Sequence, residues 1–252
     1  MRVILISALR ERIRRKELYI VVAIGIFLIL LCSSDGTSIT MNGEPVTGFN
    51  NMFMVMHVLV NAIGCILAVM LSVKTIPNEY ERKNSHLVWV RRISQTAYHG
   101  GLAAANVLAS VISVGVLYMI LAIYVMANGY TERLFAMLPA FCLIAVNVSM
   151  VSLLVSVLSI RLPGMAVGAL GILFAGLGIF HGLLEIFKSM AGGIGGKCMS
   201  VLLRLVPDLH GIQKQAYNLV IGKQVELHLL FIGLLAIWIF SLGLFVFRRK
   251  EA

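Results

Sequence analysis

Charge is what this sequence has least of. Only 13% of its 252 residues are Asp, Glu, Lys or Arg, and 11 acids stand against 21 bases. Soluble domains carry about a quarter charged residues, so a water-exposed surface around a core of this size is excluded. Proline is also rare, five in all, which leaves long stretches free to be helical. The four cysteines, at 32, 65, 142 and 198, form no CxxC pair, so neither a disulfide framework nor a thiolate metal site is expected. HExxH, GxSxG and paired carboxylates within an apolar run are all missing, and no catalytic residue is assigned. "AGGIGGKC" at 191–198 comes near a phosphate loop. However, Ala191 stands where the first Gly belongs and Cys198 where a Mg²⁺-binding hydroxyl is needed. The chain itself is expected to bind no nucleotide, metal or other cofactor.

What is abundant is apolar: 60% of the residues, with a mean hydropathy of +0.95. The runs reach the roughly 20 residues that cross a bilayer core of about 30 Å. The expected fold is an all-α integral membrane protein, one domain over 1–252, with six transmembrane helices at 18–33, 51–73, 100–127, 133–160, 164–187 and 227–247. The basic N-terminus before "LYIVVAIGIFLILLC" mimics a secretory signal. No small-x-small cleavage site follows, and Leu31 before Cys32 makes a poor lipid-attachment box, so the first span is expected to be retained.

The net charge of +10 is explained by where the bases fall. Arg2, Arg10, Arg12, Arg14, Arg15, Lys16, Lys74, Arg82, Lys83, Arg91, Arg92, Arg161, Arg248, Arg249 and Lys250 all lie on one side of the six spans, and the opposite loops are nearly neutral. By the positive-inside rule both termini are cytoplasmic, in the inner cell membrane. Nucleic acid is not needed to account for the charge. Residues 1–17 set Val3, Ile4, Ile6, Leu9 and Ile13 mostly on one helical face beside a basic cluster, the pattern of an amphipathic helix in the bilayer surface; a basic flank that merely orients span one is the simpler reading. The outer loop 188–226 holds two apolar pieces, "CMSVLLRLVP" and "AYNLVIG", too short to cross and expected as short interfacial or re-entrant helices.

Polar residues inside the spans are few. His57 and Asn61 share a face of span two, a pair suited to a proton relay or to hydrogen bonding between helices. His181 and Glu185 repeat the spacing in span five. In span four Ser149, Ser152, Ser156 and Ser159 form one stripe, and in span five Gly164, Gly168, Gly171, Ala175, Gly178 and Gly182 form a small face. Both patterns suit close helix packing, with lining of a pathway as the alternative.

The segment after span two is different. Pro77 is expected to end the span. Asn78 with Glu81 has the spacing of a capping box, which would start a cytosolic helix in the loop 74–99. Glu79, Glu81 and Arg82 are mixed in sign, and Leu87, Val88 and Trp89 are bulky and apolar, a combination suited to docking on a protein partner. "TIPNEYERKNSHLVWVRRISQTAYHGGLAAAN" resembles the first cytosolic loop of the permease subunits of type-2 ABC exporters. The six-span layout, the N-terminal helix, the "RLPG" turn and "LVPDL" before span six are also similar to that family. The resemblance implies that 78–90 is a coupling helix seated on a separate ABC ATPase subunit, which binds ATP and Mg. It also implies a second permease chain, a copy or a sister, meeting this one near spans one and five, and export of a peptide or amphipathic substrate. A passive channel or pore-forming oligomer, and a non-transport membrane scaffold, are the alternatives.

Overall fold

A computed structural model describes residues 2–14, 17–33, 40–41, 44–45, 48–81, 93–191 and 193–247. The chain opens with α1 (Arg2–Arg14) and α2 (Glu17–Ser33), followed by a two-residue antiparallel pairing of Thr40–Met41 with Glu44–Pro45. Next come α3 (Phe49–Val73), α4 (Thr75–Glu81), α5 (Gln95–Ala127), a 3₁₀ turn (Thr131–Arg133) and α6 (Leu134–Leu158). The remainder is α7 (Gly164–Ile179), α8 (His181–Met190), α9 (Gly193–Leu205), α10 (Leu209–Val220) and α11 (His228–Val246).

Four of these helical stretches are long and apolar enough to cross a membrane: α3 with α4, α5, the 3₁₀ turn with α6, and α11. A fifth is the pair α7 and α8, bent by 71°. The 17 residues of α2 sit at the short end of the crossing range of about 17–25 residues. The chain is thus an all-α, multi-pass membrane protein in its described part, apart from the small β pairing.

Helix α6 is the hub, packed against α3, α5, α7, α10 and α11. The main core, with Phe53, Met56, Leu117, Leu121, Ile144 and Met150 fully buried, lies among α3, α5 and α6. A second cluster sits at the other end of the bundle. There Ile76, Tyr98, Leu102, Val157, Ile160 and Leu244 meet Ile4 and Ala8 of α1, so α1 and the end of α11 share one end of the molecule. Of the apolar positions expected to make α1 amphipathic, Ile4 and Leu9 are half-buried while Val3 and Ile6 are exposed.

Three boundaries differ from the sequence expectation. Pro77 does not end the span: the helix breaks for one residue at Lys74 and resumes at Thr75, so Pro77 falls in a new first turn. A first-turn amide has no intrahelical partner in any case, and proline is tolerated there. Asn78 is consequently no cap, because its N–H donates to the Lys74 carbonyl at 3.0 Å inside α4. The second boundary is span five, which was expected to be continuous over 164–187 and instead breaks at Phe180. Span three starts earlier than expected, at Gln95, with Ser94 as its cap accepting the Ala97 N–H at 3.3 Å.

The break is fixed by close packing of α7. A Cβ on Gly178 would lie 2.6 Å from Leu209 and 3.2 Å from the Pro207 carbonyl oxygen, and one on Gly171 would lie 2.8 Å from Val155 and 3.0 Å from Val69. Gly176, on the same helix, has nothing within 4 Å. Gly171→Ala is therefore expected to destabilise by about 1–3 kcal/mol through overpacking. Gly176→Ala should be neutral or stabilising by up to about 1 kcal/mol. Unfolding of the two variants side by side in detergent measures the difference; equal stabilities would refute the packing described for α7.

Candidate functional site

The sequence offers His57 and Asn61 as the conspicuous polar pair of span two, and both are fully buried. The structure brings them together with three residues that the reading of the chain did not single out: Tyr118 of α5, Asn147 of α6 and Gln213 of α10. His57 Nε2 is hydrogen-bonded to the Tyr118 hydroxyl, and His57 Nδ1 lies 3.3 Å from Gln213 Nε2. Both ring nitrogens of His57 are thus engaged, one by a hydroxyl and one by a side-chain amide. Asn147 Nδ2 donates to Asn61 Oδ1 at 3.2 Å and to the Leu209 carbonyl at 2.9 Å. Its own Oδ1 is buried without a hydrogen-bond partner among the described residues.

These bonds make α10 part of the bundle. Leu209, Ile212, Gln213, Ala216 and Val220 are buried, and α10 fills the space bounded by α3, α6 and α7. It runs antiparallel to α3: Leu209 is at the level of Asn61, Gln213 at His57, and the Tyr217 hydroxyl reaches the Asn50 carbonyl at 3.2 Å. The "AYNLVIG" piece expected at the interface thus belongs to a helix built into the protein. Asp208 caps it by accepting the Gly211 N–H at 2.7 Å. His181, at the bend before α8, stands 3.7 Å from Asp208 and 3.9 Å from Glu185, and its Nε2 is 3.4 Å from the Leu203 carbonyl. The sequence pair His181 and Glu185 is therefore a joint at the surface of the fold, with Asp208 as its missing member.

The serine stripe of α6 points into the same chain. Ser152 bonds Ser72 at 2.9 Å, Ser156 accepts from Asn106 Nδ2 at 2.8 Å, and Ser159 donates to the Ser156 carbonyl; Ser149 is half-buried. Gly164 and Gly168 of α7 face Val73 of α3. This small face packs within the chain, against α3 and α6, the close helix packing that small residues suit.

At the end of the bundle shared by α1 and α11, α4 is tied to the foot of α5 by two side-chain bonds. The Tyr98 hydroxyl donates to Glu79 Oε2 at 2.7 Å, and the Tyr80 hydroxyl lies 2.7 Å from His99 Nε2. Glu79 thus accepts a bond within its own chain, Asn78 is half-buried, and Glu81 is exposed. The remaining candidates of the loop, Arg82, Leu87, Val88 and Trp89, lie outside the described residues.

Comparison with protein-family models, curated proteins and solved structures finds no match to this chain. The site must therefore be read from its own chemistry. The buried cluster contains no carboxylate and no cation other than what His57 could carry, and the described residues hold no group of His, Cys, Asp or Glu able to bind a metal. It is a neutral hydrogen-bond network inside an apolar bundle, suited to fixing helices in place. In hindsight the signal was available: Asn106, Asn147, Gln213 and Gln215 are amides in apolar surroundings, and such groups demand partners.

The network makes a sharp prediction. Asn147→Ala leaves the Leu209 carbonyl and Asn61 without their donor, and is expected to cost about 1–3 kcal/mol. Ser149→Ala, on the same helix and half-buried, should stay within about 0.5 kcal/mol of the parent. Amide hydrogen exchange should accelerate in 209–220 in the first variant and not in the second. If exchange across α10 is the same in both, the bond does not hold α10.

Proposed function

We propose that this chain is the membrane-spanning permease subunit of an ATP-driven ABC exporter, working with a separate ATPase subunit and a second permease chain. The observation that carries the reading is the segment from Thr75 to Asn106, whose resemblance to the coupling loop of type-2 exporters is the most specific motif in the chain. The position of α4 supports it. This helix stands at the end of the bundle where α1 and the end of α11 gather, is braced on α5 through Glu79 and Tyr80, and leaves Glu81 exposed. A braced helix with an exposed end, followed by a charged and aromatic segment, is what docking on a soluble partner requires.

In this reading α2 is the first of six spans, the α1 end is cytoplasmic, and the segment 188–226 returns to the outer side. The alternation of helix directions supports it, since α3 and α5 run antiparallel, with His57 beside Tyr118 and Thr75 beside Asn106. The cargo is assigned as hydrophobic or amphipathic, a peptide among the candidates, because the spans carry no dense charge. With its small face occupied, α7 would meet a second permease through its opposite side, where Met165, Ile172 and Leu173 are exposed.

Topology is tested with single cysteines at Ser94 and Lys214 in a cysteine-free protein. An impermeant thiol reagent added to intact cells should label position 214 and spare 94; the reverse pattern would overturn the orientation.

Coupling is tested by Glu81→Ala with Arg82→Ala. Glu79 is left intact because its carboxylate serves Tyr98. Losing members of buried charge pairs at an interface costs about 2–5 kcal/mol, so the doubly substituted chain should insert normally yet fail to retain the ATPase in a pull-down and fail to stimulate its turnover. Lys214→Ala with Lys223→Ala serves as the matched control. If both pairs behave alike, the docking role is lost, and the passive-channel and scaffold readings take its place.

A further inference from the structure

The hairpin made by α8 and α9 is an unusual surface. Helix α7 has 16 residues, about 24 Å of length, and is too short to cross a core of about 30 Å alone. Its bend lies below the end of the bundle. Gly178 packs on Pro207 and Leu209, and the Leu209 carbonyl is at the depth of Asn61. Helix α8 therefore turns aside from the line of α7 by 71° before the end of the bundle, and α9 folds back on it.

Phe180, Leu183, Ile186, Phe187 and Met190 of this stretch are exposed, Met190 by 77%, and α9 adds Val201 and Leu205, exposed by 58% and 73%. In water a surface of this kind is a liability, whereas α7 and α8 together are apolar enough to enter a membrane, where acyl chains would meet it.

The same surface carries cations. Lys188, Lys197 and Arg204 are all exposed. Lys197, Val201, Arg204 and Leu205 follow helical spacing on one face of α9, which interleaves charge with apolar side chains. Gly196 packs on the Ala191 carbonyl, with the Lys188 carbonyl 3.9 Å from where its Cβ would be, and this brings Lys188 and Lys197 to one tip of the hairpin. Between His181 and Leu205 the sequence has one acid, Glu185, and it faces His181. Elsewhere at this end of the bundle acids and bases alternate: Glu132 with Arg133, Asp208 with Lys214, Lys223 with Glu226.

We propose that the exposed face of α8 and α9 binds the head groups of anionic phospholipids in the leaflet nearer the start of α3. The apolar side chains enter the acyl layer, while the Lys and Arg stems extend along it to bring their charges to phosphate level. This rests on the membrane fold alone and not on the transport reading.

The test uses the purified full-length chain, with Cys32, Cys65 and Cys142 replaced by Ala and the native, exposed Cys198 carrying an environment-sensitive fluorophore. The chain is reconstituted in vesicles of phosphatidylcholine mixed with phosphatidylglycerol, one or the other brominated as a quencher. Brominated phosphatidylglycerol should compete for the site at least about five-fold better than brominated phosphatidylcholine. Lys188→Gln with Lys197→Gln and Arg204→Gln should abolish the preference while quenching by both lipids persists; Lys214→Gln with Lys223→Gln should leave the preference unchanged. Equal quenching by the two lipids in the parent overturns the proposal. So does absence of quenching, which would mean that protein covers the face, and so does loss of the preference on adding inorganic phosphate, which would make the site one for soluble anions. Because no ATPase is present, this outcome is independent of whether the chain couples to one.

Discussion

A polypeptide that turns round inside an apolar layer must satisfy its own backbone there, because no water is at hand to do it. In this protein the turn at Val206–Asp208 is that place, and the fold is organised around meeting its demand. The Val206 amide bonds the Leu202 carbonyl, Pro207 has no amide to satisfy, and Leu209 N–H reaches back to the Pro207 carbonyl. Asp208 takes the Gly211 amide, and the Leu209 carbonyl takes Asn147. Three of these bonds are local to residues 202–211 and only the fourth comes from elsewhere in the chain, so α10 holds its position only if α6 presents Asn147 at the right depth. Losing that one amide removes donors from both α3 and α10.

The need for close approach follows from the same bond. To bring α10 within reach of Asn147, α7 must leave the bundle early, and it does so where Gly178 lets Leu209 and Pro207 come against its backbone. Gly171 does the same for Val69 and Val155, and Gly233 lets α11 close on Val146 and Ile212. In lipid these contacts are held by dispersion and by hydrogen bonds, since burying one apolar helix on another gains little over burying it in acyl chains. That is why the hub helix α6 carries serines and an asparagine along its buried surface. Ser152, Ser156 and Asn147 each bond a different neighbour: α3, α5 and α10.

The spanning helices were legible in the sequence because length and apolarity are local properties, and the bilayer acts on each run separately. What could not be read was the partner of each polar residue. His57 and Asn61 stood out as a spaced pair, but Gln213 lies 156 residues from His57, and nothing local announces that pairing. The break in span five was also hidden: Phe180 and His181 carry no proline or glycine signal, and the bend comes from what packs on Gly178. Pro77 misled for the opposite reason. A proline is a strong local signal, but a one-residue break at Lys74 moves it into a first turn, where its missing amide has no consequence.

Helix α5 gives the bundle its continuity. Among the described residues it meets α4 at one end through Tyr98 and His99, and at the other it meets the buried network through Tyr118. Between these points Asn106 bonds Ser156 of α6 and lies 2.9 Å from the Thr75 hydroxyl. Thr75 starts α4, so this helix is bonded to α5 both at its first residue and near its last turn. Because Thr75, Glu79 and Tyr80 hold α4 on α5 and α6 bonds the same rod at Asn106, α4 cannot swing on the break at Lys74 as a free hinge would. A displacement of α4 must either break three side-chain bonds or carry α5 with it, and α5 delivers its Tyr118 to the same His57 that holds Gln213 of α10.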